Sequence, residues 1–411
     1  MNDLITHPLG EDLENCTGCA ACAAVCPSAS IIMQADAEGF LHPRINIETC
    51  SDCDLCRTTC PVSRTHLSKN AQKEGLNLGA PISVFAAWHL DETIRFQSSS
   101  GGVFTALADM ILAKCGVVAG AAFDNKLIVR HILIEKPKEL HRLRGSKYVQ
   151  SDITPVLYHQ IEDLVKQGRS VLFSGTPCQT AAIRSFLRET YDNFYCCDII
   201  CHGVPSPILF QRYAQDNLER GMQLVNVTFR DKANGWKHYG VRRHLCNGSS
   251  KLVAASADPY MAAFLRDYAL RPSCYICQFK STLRQGDLTI ADFWGVANKY
   301  PEYDSDDKGT SMILVNNKHG QAWLDACRKN LFLGKANLDT AIVGNAQLVR
   351  PSFRPSERGT FYSDLATLPF QALIRKYRLH PPSQSRRIVG ALKHWLKGFI
   401  HAMIKRVSKG G

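Results

Sequence analysis

Two runs of cysteine constrain this chain more than anything else in it. CTGCAACAAVCP, residues 16–27, holds Cys16, Cys19, Cys22 and Cys26, and CSDCDLCRTTCP, residues 50–61, repeats the arrangement with Cys50, Cys53, Cys56 and Cys60. Each cysteine of the second run lies 34 positions after its counterpart, so the pair is an internal repeat. Three thiolates at spacings of three wrap one corner of an iron-sulfur cube. The fourth stands too far along to close the same cube, and in two-cluster runs it ligates the other cluster. The spacing therefore assigns Cys16, Cys19, Cys22 and Cys60 to one [4Fe-4S] cluster, and Cys50, Cys53, Cys56 and Cys26 to a second. Pro27 and Pro61 turn the chain away from each run.

Zinc and disulfides are the competing uses of so much sulfur. Structural zinc pairs one CxxC with another, or with two histidines, across a longer gap; a third Cys at +6 followed by Cys-Pro departs from that pattern. A disulfide scaffold needs an oxidising compartment, and MNDLITHPLGEDLEN at the start has neither a charged n-region nor an apolar h-region. Reduced thiols in the cytoplasm are the expectation.

At 411 residues the chain can bury a core large enough that the clusters need not supply its whole stability. Its formal charge of +12 suggests an anionic partner. Each cluster with four thiolates carries about −2, however, which cancels part of that excess, and no nucleic acid partner is expected. No uncharged apolar run approaches the roughly 20 residues that a spanning helix needs. Five segments are expected: an α+β ferredoxin-like two-cluster domain over 1–66, a polar linker over 67–80, the two parts of a core over 81–160 and 161–345, and a basic amphipathic helix over 383–409. From Pro81 onward, β-rich runs (ISVFAAW, VVAGAAF, LIVRHILI, SVLFSG, FYCCDII) alternate with helical patterns, which argues an α/β core with a mixed sheet.

Within that core, SSSGGVFTALADMIL (98–112) sets a Ser/Gly turn before an amphipathic helix, where free N–H groups favour an anion such as a cofactor phosphate. A plain N-cap with a glycine turn reads equally well. LRGSKYVQS (143–151) offers Arg144, Ser146, Lys147 and Tyr148, residue types that bind a pyrophosphate or stack on a ring. SGTPCQTAAI (174–183) and DIICHGVPSP (198–207) put Cys178 and Cys201 at strand ends, and RPSCYICQF (271–279) supplies Cys274 and Cys277. Spacing alone leaves a third cluster, a zinc ion and ordinary core cysteines all open.

Taken together, SSGGVFTAL, RGSKYVQS, FSGTPCQTAAI, ICHGVPSP, FRDKANGW and CYICQFKSTLRQGDLTIADFWG resemble the coenzyme F420 hydrogenase/dehydrogenase beta-subunit family, fused here to a two-cluster ferredoxin domain. The resemblance spans about residues 82–345. It implies a flavoprotein fold in which electrons pass between iron-sulfur clusters and a two-electron carrier. On that basis Cys178, Cys201, Cys274 and Cys277 are expected to hold a third [4Fe-4S] cluster, with Cys197 a substitute for Cys201. Ser100, Gly101, Gly102, Ser146 and Lys147 are expected to contact FAD, around its phosphates. Cys115, Cys196, Cys246 and Cys327 have no motif around them and read as structural.

A cluster moves one electron, whereas a flavin stores two and exchanges a hydride, so the flavin converts between the two currencies. Arg230, Lys232, Trp236, Arg284 and Asp292 are candidates for substrate or flavin contact, against an internal Arg230–Asp292 ion pair and a packing role for Trp236. His202 is a candidate proton donor or a hydrogen-bond partner of the third cluster. Two functions follow: a flavin-dependent reductase of a small molecule, which the resemblance links to bacterial surface-polysaccharide synthesis, or an electron-transfer subunit serving a partner enzyme. Ferredoxin, reduced nicotinamide and F420 are the candidate redox partners. In the tail, Ile388, Leu392, Trp395, Leu396, Phe399, Met403 and Val407 form one apolar stripe, among seven basic residues and no acidic one. Such a helix suits peripheral contact with the inner face of an anionic membrane, or packing on protein.

Overall fold

The computed structural model describes residues 13–63, 81–216 and 222–379. The expected linker over 67–80 and the expected basic helix over 383–409 lie outside the described residues. Among the described residues no helix is long and apolar enough to cross a membrane.

Strands that are apolar on both faces must be covered on both faces, and the core obeys that rule. Its strands are β3 (Ser83–His89), β4 (Val117–Phe123), β5 (Val129–Ile134), β6 (Val171–Gly175), β7 (Phe194–Ile199), β11 (Leu288–Asp292), β12 (Ser311–Val315) and β13 (Leu331–Ala336). They form one sheet in the order β13-β3-β12-β11-β7-β6-β4-β5. The central pairs β4/β6, β6/β7 and β7/β11 are parallel, and the flanking pairs are antiparallel. This is the mixed α/β sheet that the alternating runs predict. Every residue of β12 is buried.

Helix Val103–Leu112 covers one face of the sheet through Val103, Ala106, Leu107 and Ile111, beside Trp323 and Leu324. Helices Pro155–Lys166 and Pro177–Leu187 cover the other. Both of the latter start on strong signals: Thr154 accepts from the Leu157 N–H with Pro155 at the first position, and Thr176 with Gln179 closes a capping box.

The N-terminal module, residues 13–63, is a hairpin of β1 (Ile31–Ala35) and β2 (Leu41–Ile45) with short helices Ala21–Ala24 and Leu55–Thr59. Ala21 and Ala24 pack into the same apolar cluster as Ile161 and Phe186 of the core helices. A second sheet, β8 (Leu224–Asp231), β9 (Gly240–Leu245) and β10 (Ser250–Ala254), is antiparallel throughout. It packs with Phe210, Tyr260, Phe361 and Leu373 in an aromatic-rich cluster. Helices Arg358–Thr367 and Phe370–Lys376 belong to that cluster, so the packed core continues past residue 345 to Leu379.

Candidate metal centres and cofactor cleft

The CxxCxxC loops wind tightly because the residue before each later cysteine, or one removed from it, takes a left-handed backbone. In the first run these are Gly18 (φ 67) and Ala20 (φ 65); in the second, Asp52 (φ 49) and Asp54 (φ 58), again 34 positions on. Non-glycine residues seldom adopt this conformation, so the repeat extends from the cysteines to the shape of the chain.

Winding aims Cys16, Cys19 and Cys22 into one cavity, and the fourth cysteine lining it is Cys60, from the other run. Burial, then the charges of Cys19, Cys16, Cys60 and Cys56, pushes the Cys22 thiol well up. Burial, with Cys19 next, pushes Cys60 up to about 12. In the second set, Cys26 and Cys56 pack against the apolar group of Cys22, Ala23 and Ile31, while Cys50 and Cys53 are exposed. Cys60 thus lines the cavity of the first run, and Cys26 lies near enough to Cys56 for its charge to raise that thiol.

Parallel strands β6 and β7 are neighbours, so the chain leaves their carboxyl ends side by side, the usual place for a site in such sheets. Cys178 follows β6 at the start of helix Pro177–Leu187, and Cys201 follows β7. Helix Pro272–Tyr275 and the turn after it bring Cys274 and Cys277 to them. Burial, then the charge of Cys277 and further those of Cys201 and Cys274, pushes the Cys178 thiol well up. Cys197 points elsewhere: it is buried among Leu172, Leu288 and Ile313, which leaves Cys201 as the fourth member. Cys196 and Cys327 lie in the sheet's two apolar clusters, and Cys115 and Cys246 are exposed.

Among the described residues, no three His, Cys, Asp or Glu side chains close around a single metal ion. The first set instead lines a cavity, as a multi-iron core requires. Four buried thiols that repel one another's charge become favourable as thiolates only around a strongly positive centre, which is the chemistry an iron-sulfur core supplies.

The first set is bolted to the core. Tyr158 Oη donates to the Cys19 carbonyl at 2.7 Å, Arg271 Nε to the Cys16 carbonyl at 2.6 Å, and Ser185 Oγ to the Thr59 carbonyl at 2.7 Å. Between the first and third sets lies a dry seam of Val62, Ala181 and Phe279, against which Cys60, Cys178 and Cys277 all pack.

Beyond the third set, His202 holds Asp267 Oδ1 at 2.6 Å and meets Phe264 edge-on at 5.0 Å; Phe264 in turn lies 4.9 Å from the Tyr148 ring. Tyr148 Oη accepts from Arg230 at 3.2 Å, and Arg230 lines a cleft of about 450 Å³ with Gln97, Ser99, Phe123, Arg144 and Lys147 among others, a volume typical of small-molecule and cofactor sites. His202, the residue after Cys201, is therefore tied to a carboxylate and stands two ring contacts from Tyr148.

The five expected flavin contacts divide. Ser146 and Lys147 line the cleft. The Lys147 Nζ donates to the Arg142 and Arg144 carbonyls, each at 2.9 Å, and burial pulls its ammonium down to about 7. Ser100 and Gly101 stand behind the wall. Ser100 Oγ donates to the Thr310 carbonyl, and a Cβ on Gly101 would come within 2.3 Å of the Ala87 carbonyl oxygen. Gly101 is needed there for packing against β3. Gly102, at φ 87, opens helix Val103–Leu112. Ser99 is the member of that loop in the cleft, accepting from the Ser146 N–H at 2.9 Å.

Of the remaining candidates, Arg230 binds Asp292 through two bonds of 2.7 and 2.8 Å, and Trp236 Nε1 donates to the same carboxylate at 2.7 Å while stacking on Trp294. The internal ion pair and the packing role are what the geometry contains, with Arg230 also lining the cleft. Lys232 Nζ donates to the carbonyls of Arg95, Ser100 and Lys308 at 2.6, 2.7 and 2.7 Å, bracing the Ser/Gly loop from behind. Burial, with Arg95 next, pulls its ammonium down to about 7. Arg284 is buried against Asp198 and Thr289, away from the cleft lining. The bolts Tyr158 and Arg271 and the seam residues Val62 and Phe279 carry no sequence signal of their own, apart from Arg271 standing three positions before Cys274 of the CxxC.

Models of known families match three stretches. The 4Fe-4S dicluster domain matches residues 15–63, the N-terminal part of the coenzyme F420 hydrogenase/dehydrogenase beta subunit matches 84–158, and its C-terminal part matches 168–340. Among solved structures, the F420-reducing [NiFe] hydrogenase complex from Methanosarcina barkeri, in a xenon derivative, contains a chain with 15% identity and a TM-score of 0.44. The match covers 66% of this chain and 90% of that one. No curated protein matches the chain.

Proposed function

This chain belongs to the coenzyme F420 hydrogenase/dehydrogenase beta-subunit family, with a 4Fe-4S dicluster domain ahead of it, and from that premise we propose an iron-sulfur flavoprotein oxidoreductase acting on a small molecule. The single observation that supports it best is the gathering of Cys178, Cys201, Cys274 and Cys277, drawn from three separate segments, beside the first cysteine set and within one aromatic bridge of a basic cleft. Clusters supply one-electron exchange and a flavin supplies the conversion to two electrons.

The chain's own part is to hold and insulate. Three sets of four cysteines offer the ligands for three [4Fe-4S] clusters: Cys16, Cys19, Cys22 and Cys60; Cys26, Cys50, Cys53 and Cys56; and Cys178, Cys201, Cys274 and Cys277. Val62, Ala181 and Phe279 keep water from the space between the first and third sets. In the cleft, Arg142, Arg144 and Arg230 offer guanidinium groups and Ser99 and Ser146 offer hydroxyls, a lining suited to the phosphates of FAD. The Asp292 carboxylate orients Arg230 toward that lining, and Lys232 fixes the loop that carries Ser99.

Anaerobically purified protein tests the proposal by metal, sulfide and flavin content. About 12 iron and 12 sulfide per chain are expected, four of each per cluster, together with one flavin. About 8 iron would remove the third cluster, and Arg144→Ala with unchanged flavin affinity would remove the flavin from this cleft.

A further inference from the structure

Residues 46–54, NIETCSDCD, are exposed without a break. The stretch carries Glu48, Asp52 and Asp54 and no lysine or arginine of its own, with Arg57 paired to Asp54 at its edge, on a chain whose formal charge is +12. Cys50 and Cys53 are exposed in its middle. Ile47, 49% exposed, adds an apolar contact at its edge. An anionic face that brings redox ligands to the surface is therefore set on a cationic molecule. Its neighbours inward are the first set and then the third, through the groups around Cys22 with Cys56 and around Val62 with Cys60 and Cys178.

Resting on the reading that these cysteines hold clusters, we infer that the 46–54 face is the docking surface for a one-electron carrier protein whose own docking face is cationic. A small-molecule donor has no need of an exposed, predominantly anionic surface around the ligands. A protein does, because opposite charges bring the two redox centres together at a productive angle and raise the rate of encounter. The buried first set cannot serve, since its loop is covered by Tyr158, Arg271 and the helix of Ser185. Electrons therefore exchange with a protein partner at the second run and with the core through the first.

The test uses the holoprotein, photoreduced, with cytochrome c as a cationic one-electron acceptor, followed by stopped flow from about 10 to about 300 mM salt. The comparison variant combines Glu48→Lys, Asp52→Asn and Asp54→Asn, which raises the charge of the face by four. Asn is chosen at 52 and 54 because it tolerates the left-handed backbone there. The parent rate should fall steeply with salt. The variant should be slower by about tenfold or more at low salt, with a flattened salt slope and unchanged iron content and paramagnetic resonance spectra, and an acidic ferredoxin should respond in the opposite sense. Equal cytochrome c rates for parent and variant at every salt would overturn the docking surface. If the triple variant loses iron, Glu48→Lys alone carries the same comparison. Fewer than about 8 iron per chain in the parent would overturn the cluster reading itself.

Discussion

The two cysteine runs share their spacing and their left-handed turns, yet the first is packed against the core and the second stands largely in solvent. The residues between the cysteines account for the difference. The first run fills its gaps with Thr, Gly, Ala and Val, small enough for Ala20, Ala21, Ala23 and Ala24 to be buried; the second uses Ser, Asp, Leu, Arg and Thr, and leaves Ser51, Asp52, Asp54, Arg57 and Thr58 exposed. Ligand spacing sets what a loop can bind, while the intervening side chains decide whether that loop becomes an interior relay or a surface.

The comparison breaks most directly at the crossed ligands. Cys60→Ala should remove about four iron from the buried set while sparing the set of Cys50, Cys53 and Cys56, and Cys26→Ala should do the reverse. Resonance spectra of the two variants, read side by side, check the exchange. Loss of the exposed set in Cys60→Ala would mean that each run serves itself.

Exposure should also show in the order of loss. With oxygen or a chelator, iron should leave in two phases, about four per chain quickly from the exposed set and the rest slowly, followed by iron release and visible absorbance. One uniform phase would deny the difference in protection.

Much of this was legible in the sequence, for a physical reason. Metal ligation depends on residue type and spacing, so the meeting of Cys60 with the first run could be read from the 34-residue repeat, and Cys178 and Cys201 could be placed at strand ends because VLFSG and FYCCDI are short, largely apolar strands. What could not be read is which partner a polar group takes. SSSGG looks the same whether it cradles a phosphate or packs on β3, and only the Ala87 carbonyl beside Gly101 decides. Arg230 and Asp292 are 62 residues apart, and nothing local says that they meet. Nor does any local pattern tell Cys197 from Cys201; the direction of β7 does, by turning Cys197 into the apolar cluster.

Smaller effects sharpen the same contrast. Arg271 is 1% exposed and donates to Cys16 O, to Leu41 O at 2.9 Å and to Gln150 Oε1 at 3.1 Å. Arg271→Met would strand buried carbonyls beneath the first run, which costs roughly 3–5 kcal/mol in all. Loss of the iron-sulfur absorbance should therefore move to markedly lower urea. An unchanged midpoint would mean that the first run is held by its metal alone.

Arg57 supplies the counterpart in the second run and the smallest effect of the series. Its Nε lies 3.3 Å from Asp54 Oδ1, but both side chains are 59% exposed. Water and salt screen such a pair, and holding two mobile side chains together offsets most of what attraction remains, so exposed pairs contribute roughly 0–1 kcal/mol. Arg57→Ala should accordingly leave the urea midpoint within the error of the measurement. It should still change the surface, because removing one positive charge makes the anionic face more negative and should modestly raise the low-salt rate with cytochrome c. A shift in midpoint as large as that of Arg271→Met would show that the second run depends on side-chain bolts as the first does, and that its exposure does not separate the two.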